Sequence, residues 1–309
     1  PETVYFMVGS PTGNATFIGA EVPDEISVPV DAAGNATAAL RVDTAAGENL
    51  VMVRPPKPVG SHGITIAGVA DGEPCAIEVV VQPDEGEPPR VYAGSKSGFL
   101  LTYTLRDAFG NPSPGKVIKI TTNVSGEGEV EVTTNVYGQA QVSYGPRVTP
   151  GSVTITAIAV NNTSVTCSQP LAFVISEPTS LFLSASPETM PSRDVPGCKP
   201  AEIRAKLVDQ FGNPVPGKEI SFSIVDTVVG EDLNQTAGPA FTTPDGVMTD
   251  AIGIAAIGFW PGEFTTDYRA PGYSPTADGT CRVVARYGED ILGDVSLTWK
   301  NYPYLSVET

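Results

Sequence analysis

Asp107-Ala-Phe-Gly-Asn-Pro-Ser-Pro-Gly-Lys116 recurs as Asp209-Gln-Phe-Gly-Asn-Pro-Val-Pro-Gly-Lys218, with eight of ten residues identical at an offset of 102. Each copy follows a strand-like run (Phe99 to Leu105; Ile203 to Val208) and precedes another (Val117 to Ile120; Ile220 to Ile224). Gly-Asn-Pro supplies in turn an open φ, a side chain that bonds nearby backbone and a fixed φ; the Pro-Gly that follows makes a second turn. Asp107 and Asp209 are placed to accept hydrogen bonds from turn amides. Phe109 and Phe211 are expected to cover the end of a core.

Working outward, a second shared feature lies downstream. Tyr137-Gly-Gln-Ala140 precedes Gln141 to Tyr144, and Ile252-Gly-Ile-Ala255 precedes Ala256 to Phe259; Pro150-Gly151 and Pro261-Gly262 follow. Alternating strands come next, with Val153, Ile155 and Ala157 in one copy and Val283 and Ala285 in the other. Gly and Pro number 32 and 29 of 309 residues, and no amphipathic helix is legible between them. Both residues disfavour helix, by backbone entropy and by the missing N–H, so the fold class is all-β.

This order of strand, Asp-x-Phe-Gly-Asn-Pro turn, strand, Gly-x-Ala strand, Pro-Gly turn and strand resembles the bacterial immunoglobulin-like domains of group 1. Those modules form the stalks of invasin- and intimin-type adhesins and of archaeal surface proteins. The resemblance covers about residues 91–300 and implies tandem immunoglobulin-like β-sandwiches in an elongated rod, used as a spacer with binding sited on loops or on a further domain. The second copy departs from the pattern by an insertion, Pro261 to Thr280.

Residues 1–90 show the same texture without the turn motif. Alternation at Ile26 to Val30, Ala38 to Val42, Leu50 to Val53, Ile64 to Ile66 and Ile77 to Val81 predicts five strands. The expected division is 1–90, a divergent β-sandwich ending in an acidic, Pro-rich linker (Gln82 to Arg90); 91–178, an immunoglobulin-like domain; and 179–309, a second one with the insertion and a strand-like tail. The junction at Glu177-Pro178-Thr179 has almost no linker, so the last two domains are expected to be rigidly coaxial.

The net charge of −17 disfavours a nucleic-acid partner, since such a surface repels phosphate. No apolar run approaches the roughly 18–20 residues of a membrane helix. The sequence lacks an initiating Met and reads as a processed or excised chain. Acidic residues Asp84, Glu85 and Glu87 lack the loop spacing of a divalent-cation site, and the single His62 cannot complete a zinc site with four cysteines that show no Cys-x-x-Cys. Neither a metal nor a cofactor is expected. Acidic pairs Glu231-Asp232 and Glu289-Asp290 sit in turn-like contexts, and no nucleophile elbow or phosphate loop is present. The chain is read as non-enzymatic.

Cys198 and Cys281 flank strands of one domain, and a disulfide between them is expected; Cys75 and Cys167 are either free or bridge neighbouring chains. Six of 11 asparagines lie in Asn-x-Ser/Thr sequons, at Asn14, Asn35, Asn123, Asn161, Asn162 and Asn234, where chance predicts about two. N-glycosylation and a disulfide together place the chain outside the cytoplasm, at the cell surface.

Two functions remain open. The chain is a subunit of a filament assembled head to tail by strand exchange, or it is a stalk fragment of a larger adhesin or a carbohydrate-binding module. Thr3 to Val8 and Asp294 to Val307 are the apolar terminal strands that would make a homopolymer, with Val4, Phe6 and Val8 (or the alternate Thr3, Tyr5 and Met7) entering a neighbour's groove. The competing arrangement folds Thr3 to Val8 back into its own domain. Trp260, Tyr268, Tyr273, Trp299, Tyr302 and Tyr304 are the aromatics that would stack on surface glycans.

Overall fold

A computed structural model describes residues 2–55, 60–70, 72–230, 235–243, 246–265 and 267–301. All the secondary structure among them is extended: the fold is all-β. Contacts divide the chain into two compact units, Pro1–Arg90 with Gly98–Gly145 and Ser152–Ala172, and Val91–Ser97 with Pro146–Gly151 and Phe173–Thr309.

The first six strands are β1 (Thr3–Gly9), β2 (Thr16–Phe17), β3 (Glu25–Pro29), β4 (Leu40–Arg41), β5 (Gly47–Arg54) and β6 (His62–Gly68). They form a sheet of order β3-β1-β5-β6 and a small β2-β4 pair. The alternation legible in the sequence sets the faces. Val4, Phe6 and Val8 share a side with buried Val51, while Tyr5 and Met7 point outward and are 42% and 40% exposed.

β1 corrects the strand-exchange expectation. It lies between β3 and β5, with Val4 opposite Val28, Phe6 opposite Ile26 and Val53, and Val8 opposite Val51. Both of its hydrogen-bonding edges are occupied within its own sheet, so Val4, Phe6 and Val8 are internal residues and not a donated strand. The other terminal segment, 302–309, lies outside the described residues.

Eight strands follow: β7 (Ala76–Gln82), β8 (Arg90–Tyr92), β9 (Phe99–Arg106), β10 (Val117–Thr122), β11 (Val130–Thr133), β12 (Gln139–Tyr144), β13 (Gly151–Ala159) and β14 (Asn162–Val174). Their sheets run β12-β9-β7 and β11-β10-β13-β14-β8. β7 pairs with β9 from Ala76↔Arg106 to Gln82↔Leu100, so the strand Ile77 to Val81, expected in the first sandwich, belongs to the second. The acidic segment after it connects β7 to β8 inside that sandwich. Alternation alone could not decide this, because a period of two fits either sheet.

The third sandwich contains β15 (Pro178–Ser186), β16 (Thr189–Pro191), β17 (Ala201–Asp209), β18 (Glu219–Val229), β19 (Gln235–Ala237), β20 (Ala240–Phe241), β21 (Gly246–Met248), β22 (Ile254–Trp260), β23 (Glu263–Phe264), β24 (Asp278–Tyr287) and β25 (Ile291–Lys300). Its sheets run β15-β17-β22-β20 and β16-β25-β24-β18-β21, with β19-β23 as a separate pair. In both later sandwiches the first, second and fifth strands of an immunoglobulin-like order share one sheet (β7-β9-β12; β15-β17-β22). The third, sixth and seventh share the other (β10-β13-β14; β18-β24-β25). The third core gathers Ile203, Leu207, Phe222, Phe259, Val283, Leu297 and Trp299 from both sheets. Extra chain enters this sandwich at two places, between β18 and β22 as well as after Trp260, where one insertion was expected.

The disulfide expectation is also corrected. All four cysteines are free. Cys281 points into the core from β24, opposite Leu297, and burial pushes its thiol up to about 11. Cys198 sits in the turn before β17, half-buried, with its thiol donating to the Pro191 carbonyl at 3.4 Å. Cys281 is buried on a core strand while Cys198 lies half-buried in a connection between strands, a difference that spacing along the chain does not reveal.

Candidate functional site: two repeated turns and the segments they hold

The repeated decapeptides are the turns between β9 and β10 and between β17 and β18. Each is built around its Asp. Asp107 Oδ1 accepts from the Phe109 and Asn111 amides at 2.9 and 2.8 Å, and its Oδ2 accepts from Asn111 Nδ2 at 3.1 Å. Asp209 repeats this with Phe211 and Asn213, at 2.9 and 2.9 Å and at 3.0 Å. Gly110 and Gly212 take φ of 84° and 83°, which the tight return of the chain to Asn111 and Asn213 requires. Both Asp and both Asn are buried.

The downstream Gly-x-Ala motif is the brace for the same turn. Gly138 O accepts from Leu105 N at 2.8 Å, and Gly253 O from Leu207 N at 2.9 Å. A Cβ on Gly138 would lie 2.5 Å from Leu105 O and 2.9 Å from Ser113 N; one on Gly253 would lie 2.8 Å from Leu207 O and 2.9 Å from Val215 N. Nothing larger than hydrogen fits.

Two residues that sequence reasoning missed complete the brace. Thr134 Oγ1 donates to Ser113 O at 2.7 Å and accepts from Lys116 N at 3.0 Å. Thr249 Oγ1 does the same with Val215 O and Lys218 N, both at 2.9 Å. The signal was available: Thr134-Asn-x-x-Gly138-x-Ala140 and Thr249-Asp-x-x-Gly253-x-Ala255 extend the repeat upstream.

What these turns do is hold another segment. In the first unit, Asn111 Nδ2 donates to Thr44 O at 2.9 Å while Ala46 N donates to Asn111 Oδ1 at 2.8 Å. The amide thus reads the backbone of the loop between β4 and β5 as a strand would. That loop is shaped by Asp43, which accepts from the Ala45 and Thr12 amides at 3.0 and 2.9 Å and from Ser10 Oγ at 2.7 Å. Led by the Ala45 amide, and against burial, these bonds hold the Asp43 carboxyl well below the usual carboxylate range.

In the second unit, Asn213 Nδ2 donates to Ala93 O, just after β8, at 2.9 Å. Ser176 N, between β14 and β15, donates to Asp209 Oδ2 at 3.0 Å. Burial works to raise the Asp209 carboxyl, but the Asn213 side chain and the Ser176, Asn213 and Phe211 amides outweigh it and leave it lowered.

The phenylalanines do not cover a core. Phe109 is 60% exposed and Phe211 37%. Phe211 lies on Tyr92 with ring centroids 6.4 Å apart, in room left by Gly94.

The remaining expected sites scatter. Asn14, Asn35, Asn123 and Asn161 are exposed, whereas Asn162 is half-buried with its Nδ2 donating to Pro74 O at 3.1 Å. Asn234, Glu231, Asp232, Tyr302 and Tyr304 lie outside the described residues. Of the aromatics, Trp299 is fully buried and Tyr268 is 67% exposed. Among the described residues no group of three or more His, Cys, Asp or Glu could hold a metal ion, and no helix is long and apolar enough to cross a membrane.

No protein-family profile matches the sequence, and no curated protein is similar to it in sequence. Solved structures are similar to it in fold. They include bacterial adhesins of the invasin and intimin type. The structure of invasin, a bacterial integrin-binding protein, matches at 14% identity and a TM-score of 0.45, over 96% of this chain. This chain spans 52% of that one, about half its length. InvD of Yersinia pseudotuberculosis matches at 15% identity and 0.44, over 98% of this chain and 89% of that one. The Escherichia coli adhesin FdeC matches at 16% and 0.41, over 96% and 84% respectively.

Proposed function

We propose that this chain is a structural spacer of an extracellular, cell-surface protein, in which each repeated turn fastens one immunoglobulin-like sandwich to the chain segment before it. The observation that carries the reading is the double use of one Asn side chain. It closes its own turn through the Asp and, at the same time, satisfies a backbone carbonyl of the preceding segment. A hinge meant to move would leave those groups to water; here they are buried and paired, each bond contributing about 1 kcal/mol.

A structural role also suits the carboxylates. The oxygens of Asp107 and Asp209 are engaged by turn amides and both residues are buried, which suits groups that shape the turn. The proposed spacer does not polymerise through an exchanged N-terminal strand, because β1 is interior to its own sheet. In the proposed setting Asn161 is the preferred glycan acceptor, since the neighbouring Asn162 amide is already committed to Pro74.

The test is nuclear spin relaxation on the full chain with Asn111→Ala and Asn213→Ala, singly and together. The expected result is faster independent motion of the sandwiches flanking the altered turn, with the thermal transition of each sandwich within a few degrees of its original value. Relaxation unchanged from the parent chain in both variants would sink the reading.

A further inference from the structure

We infer that β6 is a homotypic docking edge, through which two copies of this chain pair antiparallel about Thr65. The inference goes beyond the spacer reading and does not rest on it.

The first observation is an incomplete cover. Ile64 stands opposite Val51 and Ile66 opposite Asn49, so both isoleucines point to the core side of the first sheet. Val51 and Asn49 are 7% and 0% exposed there, yet Ile64 and Ile66 are 57% and 38% exposed. The layer that buries β5 stops short of β6. Among the described residues, the strands on that side are the two-residue pair β2 and β4, with Phe17 of β2 against Phe6 of β1. All of β6 except Gly68 is exposed, and among the described residues it ends its sheet.

The second observation concerns what is missing from that edge. Natural sheets blunt exposed edges with charge or proline. The opposite edge of the same sheet, β3, does so with Glu25 and Pro29. β6, His62-Gly-Ile-Thr-Ile-Ala-Gly68, carries neither an acidic or basic residue of fixed charge nor a proline, in a chain whose net charge is −17.

The third observation selects the occupant. The β6 sequence is nearly symmetric about Thr65. An antiparallel two-fold pairing sets Ile64 against Ile66 of the second copy, and Ile66 against its Ile64, all on the uncovered core side. Gly63 meets Ala67 on the other side, where both are small. Pairing of this kind is isologous and closes at two copies. It joins the two four-stranded sheets into one and satisfies the open backbone groups of both edges.

Charge and area fix the expected strength. Two chains of charge −17 repel, but no formal charge lies on the pairing strands themselves, so screening by salt should favour the pair. One shared edge buries less than the roughly 1,200–2,000 Å² of a stable specific interface, so the pair is expected to be weak and concentration-dependent.

The test is sedimentation velocity of the full chain from roughly 10 μM to 1 mM, a span that covers weak association, at low and high salt. A monomer–dimer equilibrium that tightens with salt is expected, and Ile64→Lys should weaken it at least tenfold while leaving the thermal transition of the chain in place. A second measurement does not depend on that variant. With Cys75→Ser removing the exposed thiol, Thr65→Cys should form a covalent dimer on mild oxidation, and Ser27→Cys on β3 should not. The inference is overturned by a monomer at every concentration, which would leave the edge to a strand of another protein. Open-ended oligomers, a dimer indifferent to Ile64→Lys, or equal cross-linking at Ser27 and Thr65 would overturn it as well.

Discussion

The turns at Asp107–Asn111 and Asp209–Asn213 share their internal hydrogen bonds to within about 0.1 Å, yet they hold different things in different ways. Asn111 spends both amide atoms on one loop, Thr44 to Ala46. Asn213 spends its Nδ2 on Ala93, while the second grip comes from Asp209, which takes the Ser176 amide. Among the described residues, the second turn alone adds a ring contact, Phe211 on Tyr92. The shared part is a rigid presenter of one amide and one carboxylate. What it binds is decided by the segment that arrives, so a nearly identical sequence at the turn does not mean identical strength at the contact.

The equivalence of the two braces gives the largest expected effect. Gly138→Ala and Gly253→Ala each place a methyl against backbone atoms at a φ near 70°. Overpacking and the left-handed conformation together should cost about 2–4 kcal/mol in each case. Denaturant unfolding should show the loss in the sandwich that carries the change. A large effect at one glycine and a negligible one at the other would break the comparison.

The carboxylates should differ by a smaller amount, and with pH. Asp107→Ala removes charge-assisted bonds to one turn and should cost about 2–3 kcal/mol; Asp209→Ala also orphans the Ser176 amide and should cost about 1 kcal/mol more. Because the folded Asp209 carboxyl is lowered, its contribution is complete above the ordinary Asp value of about 3.9. It is lost as pH falls below that value toward the folded one. Asp209→Asn should therefore flatten the acid limb of the third sandwich's stability curve. An unchanged acid limb in that variant would show that the bonds from the Asn213 side chain and from the Ser176, Asn213 and Phe211 amides do not favour the ionised carboxyl measurably.

The rings give the smallest contrast. Phe211→Ala should cost about 1 kcal/mol through the lost Tyr92 contact, and Phe109→Ala should stay within about 0.5 kcal/mol, as exposed positions do. Equal losses would mean that Phe109 has a partner of its own.

Much of this was legible beforehand for a reason that particular residues make plain. Asp107 to Asn111 is a local device: its bonds run two and four residues along the chain, so composition and spacing specify them. The strands Phe99 to Leu105 and Ile203 to Val208 were equally legible, because a period of two marks any half-buried strand. Thr134 and Thr249 were missed only because the repeat was not followed far enough upstream.

By itself, then, the sequence determined the all-β class, the repeated turn and its Asp-centred hydrogen bonds, since each depends on neighbours within a few residues. Only the tertiary structure decided that β7 joins β9, that β1 is interior, that Cys198 and Cys281 are both free, and that Phe211 leaves the core for Tyr92. Each of those outcomes compares alternatives with the same local pattern. Sheet alternation fits two partners equally, and a cysteine's neighbours across a sandwich come from strands tens of residues away. The choice among them is made by long-range packing, where the free energy depends on which surfaces meet and not on the order in which their residues are written.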